Sequence, residues 1–137
     1  MNAERRRDEL NQITERIIGC AYRVSQGLGC GFLEKVYENA MMIELLSSGL
    51  AAEQQKRIDV YYRGELVGEY CADIVVNNVI FVELKAAEAI VPEHEAQIIS
   101  YLKGTGMELG LLINFGPKPT FIRRILTNDR KNIRLSS

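Results

Sequence analysis

The sequence predicts an α/β protein, a mixed β-sheet flanked by helices, with elements in the order α-α-β-β-β-α-β-β. Three observations carry this. Apolar residues recur at helical spacing before Gly49, and the period drops to two after it. Two later runs, Val79–Lys85 and Leu109–Phe115, are almost continuously apolar, as strands buried on both faces are. A helical pattern opened by Pro92 lies between them.

Leu10, Ile13, Ile17, Ala21 and Val24 share one helical face, so a first helix is expected over about Glu9–Gln26. Gly27-Leu28-Gly29-Cys30-Gly31 breaks it. A second helix over about Leu33–Ser48 rests on Val36, Tyr37, Ala40, Met41, Leu45 and Leu46, and Gly49 stops it. Ile58, Val60 and Tyr62 alternate as in a strand. Arg63-Gly64-Glu65 turns the chain into a second strand, Leu66–Val76, with Gly68 marking a bend. Asn77-Asn78 is a turn signal leading to the third strand. Pro92-Glu93 opens the third helix, which Gly104 ends, and Thr120–Leu126 is the last strand.

A chain of 137 residues fits a single domain over 1–137. Residues 1–8 and 127–137 are expected to be flexible basic ends. No run of about 18 apolar residues occurs, which argues against a membrane partner. The charged segment Met1–Leu10 lacks the apolar core of a secretory signal, so a cytoplasmic location is expected. Cys20, Cys30 and Cys71 are odd in number and contain no C-x-x-C pair, which points to reduced thiols. The net charge is −1 but unevenly spread: 11 Lys and Arg against 17 Asp and Glu up to Pro117, then 6 against 1. With Arg5-Arg6-Arg7, the basic ends either contact phosphates around an acidic, cation-holding body or are simply solvated.

The sharpest chemical feature is Asp73 followed by Glu83-Leu84-Lys85, three ionisable groups in otherwise apolar strands. Buried charges must be paired or hold a cation. Glu83 and Lys85 project from one face of a strand. Two converging carboxylates make a hard-cation site suited to Mg²⁺ or Mn²⁺, and a neighbouring ammonium can orient water or neutralise developing charge. The competing interpretation is a structural ion pair between Lys85 and Glu83 or Asp73. The hairpin makes a demand here. A two-residue turn at Asn77-Asn78 pairs Asp73 with Val82 and sends Asp73 and Glu83 to opposite faces, so a shared site requires a one-residue shift, from a three-residue loop or a bulge.

Two further groups are candidates. Glu34 and Glu38 share a helix face, and Glu34 is either a third acid aimed at the metal or its water, or a favourable first-turn carboxylate. His94, Gln97 and Tyr101 share another helix face, where Gln97 and Tyr101 can meet a strand, a phosphate or a base. The competing readings are an exposed first-turn residue for His94, favoured over a ligand role, and a core aromatic for Tyr101, and with one histidine a His-rich zinc site is excluded.

Gly31-x-x-Glu34-x-x-Tyr37, Tyr70-x-Ala72-Asp73, Val82-Glu83-Leu84-Lys85-Ala86, His94-x-x-Gln97-x-x-x-Tyr101-Leu102 and Gly110-Leu111-Leu112-Ile113-Asn114-Phe115-Gly116 occur in that order. This array, over about residues 10–126, resembles the GxxExxY protein family of the PD-(D/E)XK nuclease superfamily. The resemblance implies a restriction-endonuclease-like core and a metal-dependent nuclease acting on nucleic acid, DNA ahead of RNA. It implies metal-binding acids at Asp73 and Glu83, a catalytic lysine at Lys85, an acid at Glu34, and Gln97 and Tyr101 on the helix after the site. Ala72 stands where the superfamily's nominal proline would be. On this reading Mg²⁺ or Mn²⁺ is held by Asp73, Glu83 and the Leu84 carbonyl, Glu34 joins the metal site by binding metal-bound water or a second ion, and Lys85 positions the attacking water and stabilises the transition state. Tyr37 and His94 join Gln97 and Tyr101 as substrate or support residues. Many small nucleases work as symmetric dimers, so a homodimer is a further expectation by analogy. The same fold can instead be a catalytically silent module binding nucleic acid or a protein partner, or a subunit of a larger assembly.

Overall fold

A computed structural model describes residues 2–131. Its elements are α1 (Ala3–Leu28), α2 (Glu34–Ser47), β1 (Ala52–Tyr62), β2 (Glu65–Val76), β3 (Ile80–Lys85), α3 (Pro92–Gly104), β4 (Leu109–Phe115) and β5 (Pro119–Ile125), with a short 3₁₀ turn over Asn128–Arg130. The predicted order is the observed one.

The five strands lie in sequence order in one sheet. All neighbours are antiparallel except β3 and β4, which run parallel from Ile80↔Leu109 to Lys85↔Asn114. Parallel neighbours need a long crossover, and α3 supplies it. The sheet separates two apolar layers. Leu10, Ile17 and Val24 of α1 and Tyr37, Met41 and Leu45 of α2 pack with Ile80, Val82 and Leu84 on one face. Ile98 and Leu102 of α3 pack with Phe81, Val75 and Leu112 on the other. Side chains of β3 therefore alternate between layers, which puts its apolar run at the centre of the fold. Gly110 lets α3 lie close on the sheet: a Cβ there would sit 2.6 Å from both Ile98 Cγ2 and Phe81 Cζ.

Two boundaries differ from expectation. Helix α1 begins at Ala3, six residues before Glu9, because the Asn2 side chain caps it by accepting from the Arg5 N–H at 2.8 Å. Residues 3–8, expected as part of a loose basic end, are thus helical, and Arg6 pairs with Glu108 at 2.7 Å. At the other end, Lys131 Nζ donates to the Thr105 carbonyl at 2.8 Å, so the basic end is tied down to that point. Residues 132–137 lie outside the described residues. Strand β1 likewise starts at Ala52, because the polar run Glu53–Arg57 pairs with β2 as an edge strand without needing an apolar face. The expected bend near Gly68 is a bulge: Val60 pairs with Gly68 but Tyr61 with Leu66.

Candidate active site

The loop between β2 and β3 has three residues. Val76 pairs with Ile80, Val75 with Phe81 and Ile74 with Val82. Asn77 and Asn78 take positive φ values of 51° and 61°, and Asn77 is tied to Ala51 by hydrogen bonds of 2.7 and 3.0 Å. Carried one step further, this register sets Asp73 against Glu83. That is the one-residue shift a shared site demands, and it replaces the two-residue turn. The regular ladder ends at Ile74 and Val82, and the Leu84 N–H donates instead to Asp73 Oδ2 at 2.8 Å.

Strand β1 is also distorted at this level, where Gln55 has a φ of 50° and drops out of the pairing with β2. Consecutive side chains Gln54 and Gln55 can then both reach Glu38 of α2, at 2.7 and 2.8 Å. Lys35 adds an ion pair to Glu38 at 2.7 Å. Glu38 is thereby a buried, fully engaged carboxylate behind the site.

Burial raises the pKa of Asp73; the Leu84 N–H opposes this, the Glu38 charge adds to it, and Lys85 and Gln55 oppose it. Burial likewise pushes Glu83 up to about 7; the Asp73 main-chain N–H and Lys85 oppose the shift, and Glu38 and Glu34 add to it. Two adjacent half-buried carboxylates that resist ionisation gain most from a cation. Their oxygens, like the Leu84 carbonyl, are hard donors of the kind Mg²⁺ takes, with water completing the shell. The residues therefore fit the ion. Among the described residues no three His, Cys, Asp or Glu side chains gather into one metal-enclosing group. Glu34, expected with the ligands, stays outside: it is exposed in the first turn of α2 and acts on Glu83 through its charge.

Lys85 lies two residues after Glu83 on β3 and forms no direct ion pair among the described residues, so the alternative of a structural pair is not the arrangement found. Gln97 donates to the Tyr101 hydroxyl at 2.9 Å. Tyr101 stacks on Tyr70 with ring centroids 3.4 Å apart, and the Tyr70 hydroxyl donates to Glu83. The expected helix face thus reaches the site through Tyr70. Tyr101 is half-buried among the aromatics, consistent with the core alternative. His94 has a local task, its Nδ1 accepting from the Val91 N–H at 3.3 Å at the start of α3. Tyr37 is fully buried, donates to the Gly29 carbonyl at 2.7 Å and stacks on Phe115, so it braces the loop before Glu34 and does not face substrate.

Sequence reasoning missed Tyr70, Gln55 and Asn114. Tyr70 stands three residues before Asp73 inside a quoted motif, which was a usable signal. Gln55 offered none, since its reach depends on a backbone distortion. Buried Asn114 accepts from the Ala87 N–H at 2.9 Å and donates to the Ala87 carbonyl at 3.0 Å, fixing the chain just after Lys85. A lone amide in an apolar strand was its signal.

The crystal structure of SSO0001 has the same fold, with a TM-score of 0.54 over 92% of this chain at 20% sequence identity. This chain spans 64% of that chain's length. No curated protein matches. The family profile for the PD-(D/E)XK nuclease superfamily matches residues 11–125, from within α1 to the last residue of β5. The chain belongs to the PD-(D/E)XK nuclease superfamily, and its mixed sheet flanked by helices is the restriction-endonuclease-like fold.

Proposed function

We propose that this protein is a nuclease that hydrolyses phosphodiester bonds in nucleic acid, DNA ahead of RNA, with Mg²⁺ or Mn²⁺ held by Asp73, Glu83 and the Leu84 carbonyl. The observation that carries this reading is the register that, carried one step beyond Ile74 and Val82, sets Asp73 against Glu83, with Lys85 two residues further on and without a direct ion pair among the described residues. A divalent ion bound there would polarise the phosphate and acidify a water. Asp73 and Glu83 supply the charge that retains the ion. Lys85 orients the attacking water and offsets the negative charge that builds on the phosphoryl oxygens. Glu34, at the rim, orients water through a hydrogen bond. Tyr70 holds Glu83 in place.

One observation favours a catalytically silent binding module. Asp73 and Glu83 each already accept a hydrogen bond from within the chain, from the Leu84 N–H and the Tyr70 hydroxyl, which gives both carboxyl groups a structural role that does not depend on an ion.

Purified protein is incubated with single- and double-stranded DNA and RNA, with Mg²⁺, with Mn²⁺ and with chelator, beside Lys85→Ala protein checked for folding. Metal-dependent cleavage that falls by about 10²- to 10⁴-fold in Lys85→Ala is the expected result. Absence of cleavage by folded, metal-replete protein would overturn the nuclease reading in favour of the module.

A further inference from the structure

A cleft of about 370 Å³ opens beside the candidate site, walled by Phe32, Leu33, Ala86, Ala87, Glu88 and Gly116. Its position follows from chain order. Leu33 directly precedes Glu34 at the start of α2, and Ala86 directly follows Lys85 at the end of β3. The two walls therefore continue the two elements that carry the site's outer acid and its lysine. Phe32 and Leu33 are 44% and 81% exposed and adjacent, so together they present apolar surface to the cleft. The Phe32 ring is held at its edge by Tyr37, with centroids 6.1 Å apart, and Tyr37 is itself locked to Gly29. The opposite wall is rigid because Asn114 engages both main-chain groups of Ala87. The cleft is thus preformed, and its volume is at the lower end for a small-ligand site.

Its lining is apolar apart from main-chain groups, the free Cys30 thiol and Glu88, the single charged residue there. A phosphate would meet that carboxylate with no cation in the lining to offset it. A neutral, flat, apolar-faced group suits the cleft better. We propose that this cleft is a nucleobase subsite, in which Phe32 stacks on the base of the nucleotide next to the phosphodiester held at Lys85. The inference rests on the nucleic-acid reading above and deepens it. A base paired in a duplex cannot enter a cleft, so the favoured substrate is single-stranded or carries an unpaired nucleotide at the cut site.

The test measures binding without cleavage, in chelator at low salt. Fluorescence anisotropy compares a short single-stranded oligothymidylate with a strand of the same length whose sugar-phosphate backbone lacks bases. Wild-type protein is expected to bind the base-bearing strand at least about fivefold more tightly, the scale of one base–aromatic stack. Phe32→Ala and the cleft-filling Ala87→Leu should each bring that ratio close to one, while Phe32→Tyr keeps it. Both altered residues are exposed, and circular dichroism checks the fold. Equal binding of the two strands by wild-type protein, or a ratio unchanged by both variants, would overturn the subsite alone. Binding of neither strand would likewise overturn the subsite, while the nucleic-acid reading stands or falls on the metal-dependent cleavage assay above.

Discussion

Asp73 and Leu84 are joined by a side-chain to main-chain hydrogen bond of 2.8 Å at the level where the ladder between β2 and β3 gives way. A carboxylate there does the work of a strand carbonyl. It satisfies a buried N–H, and it draws Asp73 to the residue whose carbonyl completes the proposed donor set. At Asp73 structure and chemistry therefore share one side chain, whereas at Glu83, whose burial disfavours the charged form, stability and activity are expected to oppose each other.

Glu83 makes that opposition measurable. Its pKa in the folded protein is about 7, against 4.5 when exposed. Between these values the folded state binds more protons than the unfolded state, so metal-free stability should fall as pH rises from about 4.5 through about 7. Glu83→Gln removes this slope. At about pH 8 in chelator it should be more stable than wild type by about 1–3 kcal/mol, and near pH 4 the two should converge. Urea denaturation at the two pH values checks this. A parallel slope in the variant would show that Glu83 is not the group responsible.

The metal should act with the reverse pH dependence. Saturating Mg²⁺ should raise the melting temperature of wild-type protein near pH 8, where the carboxylates are ionised, and have little effect near pH 5. In Glu83→Gln the Mg²⁺ effect near pH 8 should largely vanish. Differential scanning fluorimetry with and without Mg²⁺ decides it, and an equal rise in both proteins would place the ion elsewhere.

Tyr70→Phe removes the hydroxyl that donates to Glu83 but leaves the ring stacked on Tyr101. The fold should survive with a loss of about 1 kcal/mol, while nuclease activity drops by about tenfold because Glu83 loses its orientation. Cleavage rates at saturating substrate, set beside the thermal midpoint, separate the two effects. Full activity in Tyr70→Phe would mean that the phenol merely packs.

The element order, the three helices, the central buried strands and the presence of Asp73, Glu83 and Lys85 as charges within apolar strands were all legible in the sequence, because periodicity and charge within an apolar run are local properties. Continuous apolar runs announced β3 and β4, but the polar half of β1 carried no such signal and became a strand only because β2 lay beside it. The Asn77-Asn78 dipeptide announced a turn without fixing its length. Only the packed sheet, which must keep Ile74, Val76, Ile80 and Val82 together on the α1 and α2 face, selected three residues and so set Asp73 against Glu83. The roles of Tyr70, Gln55 and Asn114 likewise depend on residues 13 to 27 positions away, or on a backbone distortion, and no local pattern encodes them. What the sequence by itself determined was which residues could be buried and which charges would be stranded among them. Tertiary structure decided which of those charges meet, because side chains separated along the chain share a face only once the register of the strands between them is set.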